Sequence, residues 1–105
     1  MSGEYASLDC ILGEALLQAS VGKGHKRHAT GENFEHQPIC EVSRRLGLAF
    51  PLGQAVKKIY ESRRLSHSQA KHELLGAINY LAAAIILIDE SKHEVYESIE
   101  VLMGP

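Results

Sequence analysis

Residues 74–88 read Leu74-Leu75-Gly76-Ala77-Ile78-Asn79-Tyr80-Leu81-Ala82-Ala83-Ala84-Ile85-Ile86-Leu87-Ile88. This stretch decides the fold. Just upstream, Ser66-His67-Ser68-Gln69 matches a capping box, with Gln69 three places after Ser66. A helix over about 67–90 follows from it. A helix on the surface of a small bundle shows one apolar stripe. This one is apolar nearly all round, so it must be covered on several sides. Gly76 and the run Ala82-Ala83-Ala84 permit close approach of those neighbours. The apolar run is fifteen residues long, short of the ~20 that span a bilayer, so no membrane partner is expected. Four other short helices would only just cover it in a monomer. A homo-oligomer covers it more easily and is the expected state.

Outward from this helix, helix signals dominate. Leu8, Ile11, Leu12, Ala15, Leu16 and Ala19 follow a helical period and place a first helix at about 4–20. Pro38 suits the first turn of a second helix, where its missing N–H would have no partner anyway. That helix carries Ile39, Val42 and Leu46 on one side and ends at Gly47. Pro51 plays the same part for a third, about 51–64, with Leu52, Ala55, Val56 and Ile59 as its inner face. Ser91-Lys92-His93-Glu94 repeats the capping box and would open a last helix through Leu102. No run alternates with period two, and no Asn-Gly or Asp-Gly turn occurs. The expectation is an all-α chain: one domain, residues 1–105, folded as a compact helical bundle of four to five helices.

The chain has 105 residues, of which 45% are hydrophobic and 23% charged. That balance is ordinary for a soluble globular protein and excludes wholesale disorder. Two cysteines are too few for a disulfide scaffold. Cys10 and Cys40 read as small, reduced core residues. The opening MSGEYASLDC has acids where a secretory signal needs a basic flank. The expected location is the cytoplasm, or the host cytoplasm if the chain is viral. Net charge is -2, so no overall basic excess points to nucleic acid. Charge is unevenly spread, however. Residues 1–22 contain three acids and no Lys or Arg, residues 23–71 contain ten basic residues against four acids, and residues 72–105 contain one against six. A positive centre between acidic ends fits an anionic partner. It equally fits acidic helices covering basic ones.

The basic centre has one unusual feature, a glycine-rich loop over about 21–36. It includes Gly22-Lys23-Gly24-His25-Lys26-Arg27-His28-Ala29-Thr30-Gly31. Glycines let backbone N–H groups turn toward an anion, and Lys and Arg give charge-assisted hydrogen bonds to phosphate oxygens. Lys23, His25, Lys26, Arg27, His28 and Thr30 are therefore candidate ligand-binding residues. The Walker A spacing is absent, and a solvated surface loop is the plain alternative. Lys57 and Lys58, with Arg64 one helical turn beyond Glu61, form a second candidate cluster. An ordinary exposed face, with Lys57 paired to Glu61, is its alternative. Asn79 falls within the apolar helix, where an unpaired polar group is costly. It either bonds across a helix pair or lines a pocket and reads a base or ribose. His36, Cys40 and the loop histidines fit no common zinc module. No metal and no cofactor is expected, and no catalytic residue stands out.

Two segments resemble the metal-binding helices of the MazG-like nucleotide pyrophosphohydrolases, all-α enzymes with a Glu-Glu-x-x-Glu motif and a later Glu-x-x-Asp. Residues 52–61, Leu-Gly-Gln-Ala-Val-Lys-Lys-Ile-Tyr-Glu, are similar to the first motif's helix. Residues 72–81, His-Glu-Leu-Leu-Gly-Ala-Ile-Asn-Tyr-Leu, are similar to the second's. The resemblance implies a helical fold and a nucleotide ligand. It departs at the chemistry: Lys57 and Lys58 stand where carboxylates are needed, leaving Glu61, Glu73 and Asn79 as oxygen donors. The span from His28 to Leu81, with Phe34-Glu35-His36-Gln37-Pro38, also resembles small proteins common in bacteriophage genomes. That implies a viral setting, in which a helical oligomer would act as a sponge for host immune nucleotide signals. Three functions stay open. The first is non-catalytic binding of a phosphorylated nucleotide-type small molecule. The second is MazG-like pyrophosphate release from nucleoside triphosphates. The third is a protein- or nucleic-acid-binding accessory factor, with nucleic acid disfavoured by the acidic flanks.

Overall fold

The computed structural model describes residues 3–21 and 31–103, with 92–103 described by their backbone alone. Its elements are helical throughout, and no strand occurs among the described residues. A 3-10 turn, Gly3–Tyr5, leads into α1, Ala6–Val21. A second 3-10 turn, Phe34–His36, precedes α2, Pro38–Leu46. Then come α3, Ala49–Ser62, and α4, His67–Met103.

Local chemistry explains the boundaries. Gln37 caps α2 in an extended conformation, and its carbonyl accepts from the N–H groups of Cys40 and Glu41 at 3.0 Å. Pro38 follows as the first helical residue. The helix stops at Gly47, whose φ of 86° lies in the left-handed region that favours glycine. Its N–H closes the last turn on Ser43 O at 2.7 Å. The expected start of α3 at Pro51 is corrected to Ala49. Pro51 still lies in the first turn, where no N–H has an intrahelical partner. At the start of α4 the Gln69 N–H donates to Ser66 Oγ at 3.5 Å, and that hydroxyl donates to Gln69 Oε1 at 3.2 Å. The expected break at Ser91 is corrected as well: α4 is one 37-residue helix. A Ser-x-x-Glu pattern caps only where the chain enters a helix. Between 85 and 91 there is no Gly or Pro to end the one already running.

α4 is the axis, and α1, α2 and α3 all pack on it. By length and composition His67–Ser91 would also cross a membrane, with a mean hydropathy of 1.5. Core helices of soluble proteins reach the same values, but only 22% of this apolar stretch is buried in the fold.

The interior is built from small residues: Ala15, Cys40, Ser43, Pro51, Ala55, Ala77, Ala83 and Ala84. The inner face expected of α3 is corrected by this. Of the periodic residues of α1, Ala15 is buried, while Leu8, Ile11, Leu12 and Leu16 are exposed. On α3, Ala55 is buried, whereas Leu52, Val56 and Ile59 point outward. Leu46 of α2 is exposed too. Cys40 is a core residue as expected, but Cys10 is on the surface. Apolar periodicity marks an apolar face without saying which partner covers it.

Candidate functional site

The expected loop cluster of Lys23, His25, Lys26, Arg27, His28 and Thr30 lies outside the described residues. What can be built is the second cluster, on the hairpin of α3 and α4.

Lys58 is its centre. Its Nζ lies 3.3 Å from Glu73 Oε2 across the hairpin and 5.9 Å from the centroid of the Tyr80 ring. Both partners of the ion pair are about three-quarters buried, so the pair is better shielded from water than a surface salt bridge. Phe50 meets the Tyr80 ring edge-on, with centroids 6.0 Å apart. Gly76 makes room for the lysine: a Cβ there would sit 3.2 Å from Lys58 Cδ and Cε. Lys58, a ligand-binding candidate by its sequence, is held by a glutamate fifteen residues away.

Asn79 is also engaged. Its Nδ2 donates to the carbonyl of Ala15 at 3.1 Å, tying α1 to α4. Of the two readings of Asn79, the bond across a helix pair is the one observed. Beside it Lys71 Nζ lies 2.8 Å from Glu14 Oε2, a second link between the same helices.

Lys57 and Arg64 are exposed, and neither side chain has a partner among the described residues. The expected pair of Lys57 with Glu61 does not form. The α3 helix ends at Ser62, and Arg64 sits in the turn, its N–H bonded to Glu61 O at 3.1 Å. Next to it Arg63 lies over the ring of exposed Tyr60, 5.8 Å from the centroid. The end of the hairpin thus presents Lys57, Arg63 and Arg64 to solvent, beside a shallow depression lined by Leu65, Ser68, Gln69, His72 and Glu73.

α2 contributes a separate polar tie. Arg44 bonds Glu90 through both Nε and Nη2, with Nη2 2.8 Å from Oε1, and also bonds Glu41 at 3.1 Å. The Arg44 hydrogen bond holds the Glu90 carboxyl below its ordinary range, and the same bond raises the guanidinium's own pKa. Cys40 is buried beside this tie. Burial pushes its thiol up, which makes it a poor nucleophile.

Among the described residues no three His, Cys, Asp or Glu side chains come together as metal ligands. Comparison with protein-family models, curated proteins and solved structures finds no match to this chain.

Proposed function

We propose that this protein is a non-catalytic binder of a phosphorylated, nucleotide-type small molecule, acting in the cytoplasm and holding its ligand by positive charge. The observation that carries the reading is the ion pair of Lys58 with Glu73. A pyrophosphohydrolase site needs carboxylates gathered around magnesium. Here a lysine amine holds Glu73, the glutamate of the segment 72–81 that resembles the second metal-binding helix. Two further cations of the same hairpin, Lys57 and Arg64, are exposed and unpartnered among the described residues. They supplement the loop cations Lys23, Lys26 and Arg27. Exposed guanidinium and ammonium groups favour phosphate oxygens.

Isothermal titration of the full chain against linear and cyclic nucleotides tests the reading. A ligand should bind without magnesium, and more weakly as salt screens the exposed charges. The substitutions Lys26→Ala with Arg27→Ala, and separately Lys57→Ala with Arg64→Ala, should each cost about 1.5–3 kcal/mol of affinity, the scale of a hydrogen bond to a charged group. No binding below about 100 µM, or full binding by both double variants, overturns the proposal. Magnesium-dependent pyrophosphate release that Glu73→Gln abolishes would replace it with the hydrolase reading.

A further inference from the structure

Four exposed or half-exposed positions of α4, Leu74, Leu81, Ile85 and Ile88, together with Ile78, are spaced 4, 3, 4 and 3 residues apart. That is the a/d repeat of a coiled coil. Leu74, Leu81 and Ile88 take d positions, and Ile78 and Ile85 take a positions. The same spacing runs on in the sequence through Lys92, Val95, Ile99 and Leu102. Leu74, Leu81, Ile85 and Ile88 stay exposed beside the three helices packed on α4, and Ile78 is half-buried. α1 meets α4 at Lys71 and Asn79, α3 meets it at Glu73, Gly76 and Tyr80, and α2 meets it at Glu90. At 100° per residue the stripe lies about 100° from the α1 line on one side and about 125° from the α3 line on the other, opposite α2.

We propose that this stripe is the seam of a parallel, two-stranded homodimer, in which α4 of one copy packs along α4 of a second. Three observations choose the occupant, none of which depends on the ligand.

The first is self-complementarity. In a knobs-into-holes seam both helices use the same repeat, and isoleucine at a with leucine at d favours two parallel strands. The second is area. α3 meets α4 at Lys58, and Pro51 and Ala55, on the same face of α3 as Lys58, are buried. In an antiparallel hairpin Leu52, Val56 and Ile59 then fall on the seam's side, 41%, 52% and 46% exposed. With Leu74, Leu81, Ile85 and Ile88 they leave roughly 80 Å² each in water, so two copies would bury about 1,100 Å² of apolar surface, above the ~1,000 Å² that a specific interface needs. The third is charge. α1 carries Asp9 and Glu14 and no Lys or Arg, with Glu14 bonded to Lys71, whereas α3 and its turn carry Lys57, Arg63 and Arg64 against Glu61 besides the Lys58 held by Glu73. A two-fold axis parallel to α4 sets α1 of each copy beside α3 of the other, acidic against basic. An antiparallel pair would set like beside like.

The test uses the full chain with Cys10→Ser, which removes the exposed native thiol. Leu74→Cys and Ile88→Cys are made one at a time. In a parallel dimer each position meets its own copy, so each variant should oxidise to a disulfide-linked dimer by itself. Sedimentation equilibrium of the parent should show a dimer at micromolar concentration. Ile85→Asp should weaken self-association at least 100-fold; if it unfolds the chain instead, the two cysteine variants decide. A parent that stays monomeric at 100 µM, or forms more than a dimer, overturns the proposal. So does cross-linking seen only when Leu74→Cys and Ile88→Cys are mixed, which marks antiparallel strands.

Discussion

The two sides of α4 are built on different scales. One carries Gly76, Ala77, Ala83 and Ala84, and all four are buried. The other carries Leu74, Leu81, Ile85 and Ile88, which stay 41–58% exposed. Ordinary intuition puts the large side chains inside. Here the covered side is the one where small residues let α1, α2 and α3 come close. Close approach leaves no room for a leucine, and the larger residues stand on the perimeter. A chain can therefore be 45% hydrophobic and still bury no fully enclosed leucine or isoleucine among its described residues.

The largest expected effect breaks the small-residue side. Ala83 is fully buried, so Ala83→Leu overpacks it and should cost about 3 kcal/mol, read as a lower urea midpoint.

A smaller effect tests whether one polar contact helps hold that side together. Asn79→Leu removes the hydrogen bond to Ala15 O while keeping similar bulk. It should cost about 1 kcal/mol and speed amide exchange in α1 more than in α3. Equal exchange in the two helices would mean that apolar packing alone docks α1.

The smallest effect lies at Glu90, past the middle of α4, where a charged tie replaces close packing. Glu90 has its carboxyl pKa lowered by Arg44. A lowered folded value means the stabilisation is present above the ordinary carboxylate range, about 4.3. It is lost as pH falls through the folded value. The side chain is 46% exposed, so after solvent screening the gain is at most about 0.5 kcal/mol. Urea midpoints from pH 6 to pH 3 should fall slightly more for the parent than for Arg44→Ala. Identical slopes would show that the tie contributes nothing to stability.

Local signals in the sequence were legible because local chemistry produces them. Pro38 and Gly47 bracket α2, and Ser66 with Gln69 opens α4, since each acts on backbone groups within four residues. The same kind of signal misled at Ser91, where a capping pattern fell inside a helix with nothing to end it. The polar cluster was half legible. Lys57 and Arg64 are exposed cations, as their composition implies. That Lys58 belongs to Glu73 and Asn79 to Ala15 depends on pairs fifteen and sixty-four residues apart, which no spacing rule connects.

By itself, then, the sequence determined an all-helical chain and the approximate place of its first four helices, which arise from short-range periodicity and backbone hydrogen bonding, and the uneven placement of its charge. Tertiary structure alone decided which apolar face goes inside. An amphipathic or all-round apolar helix offers several faces of similar hydrophobicity, and burial by area does not distinguish them. The choice falls to shape: Ala15, Ala55, Ala77, Ala83 and Ala84 allow helices to come together where leucines would hold them apart.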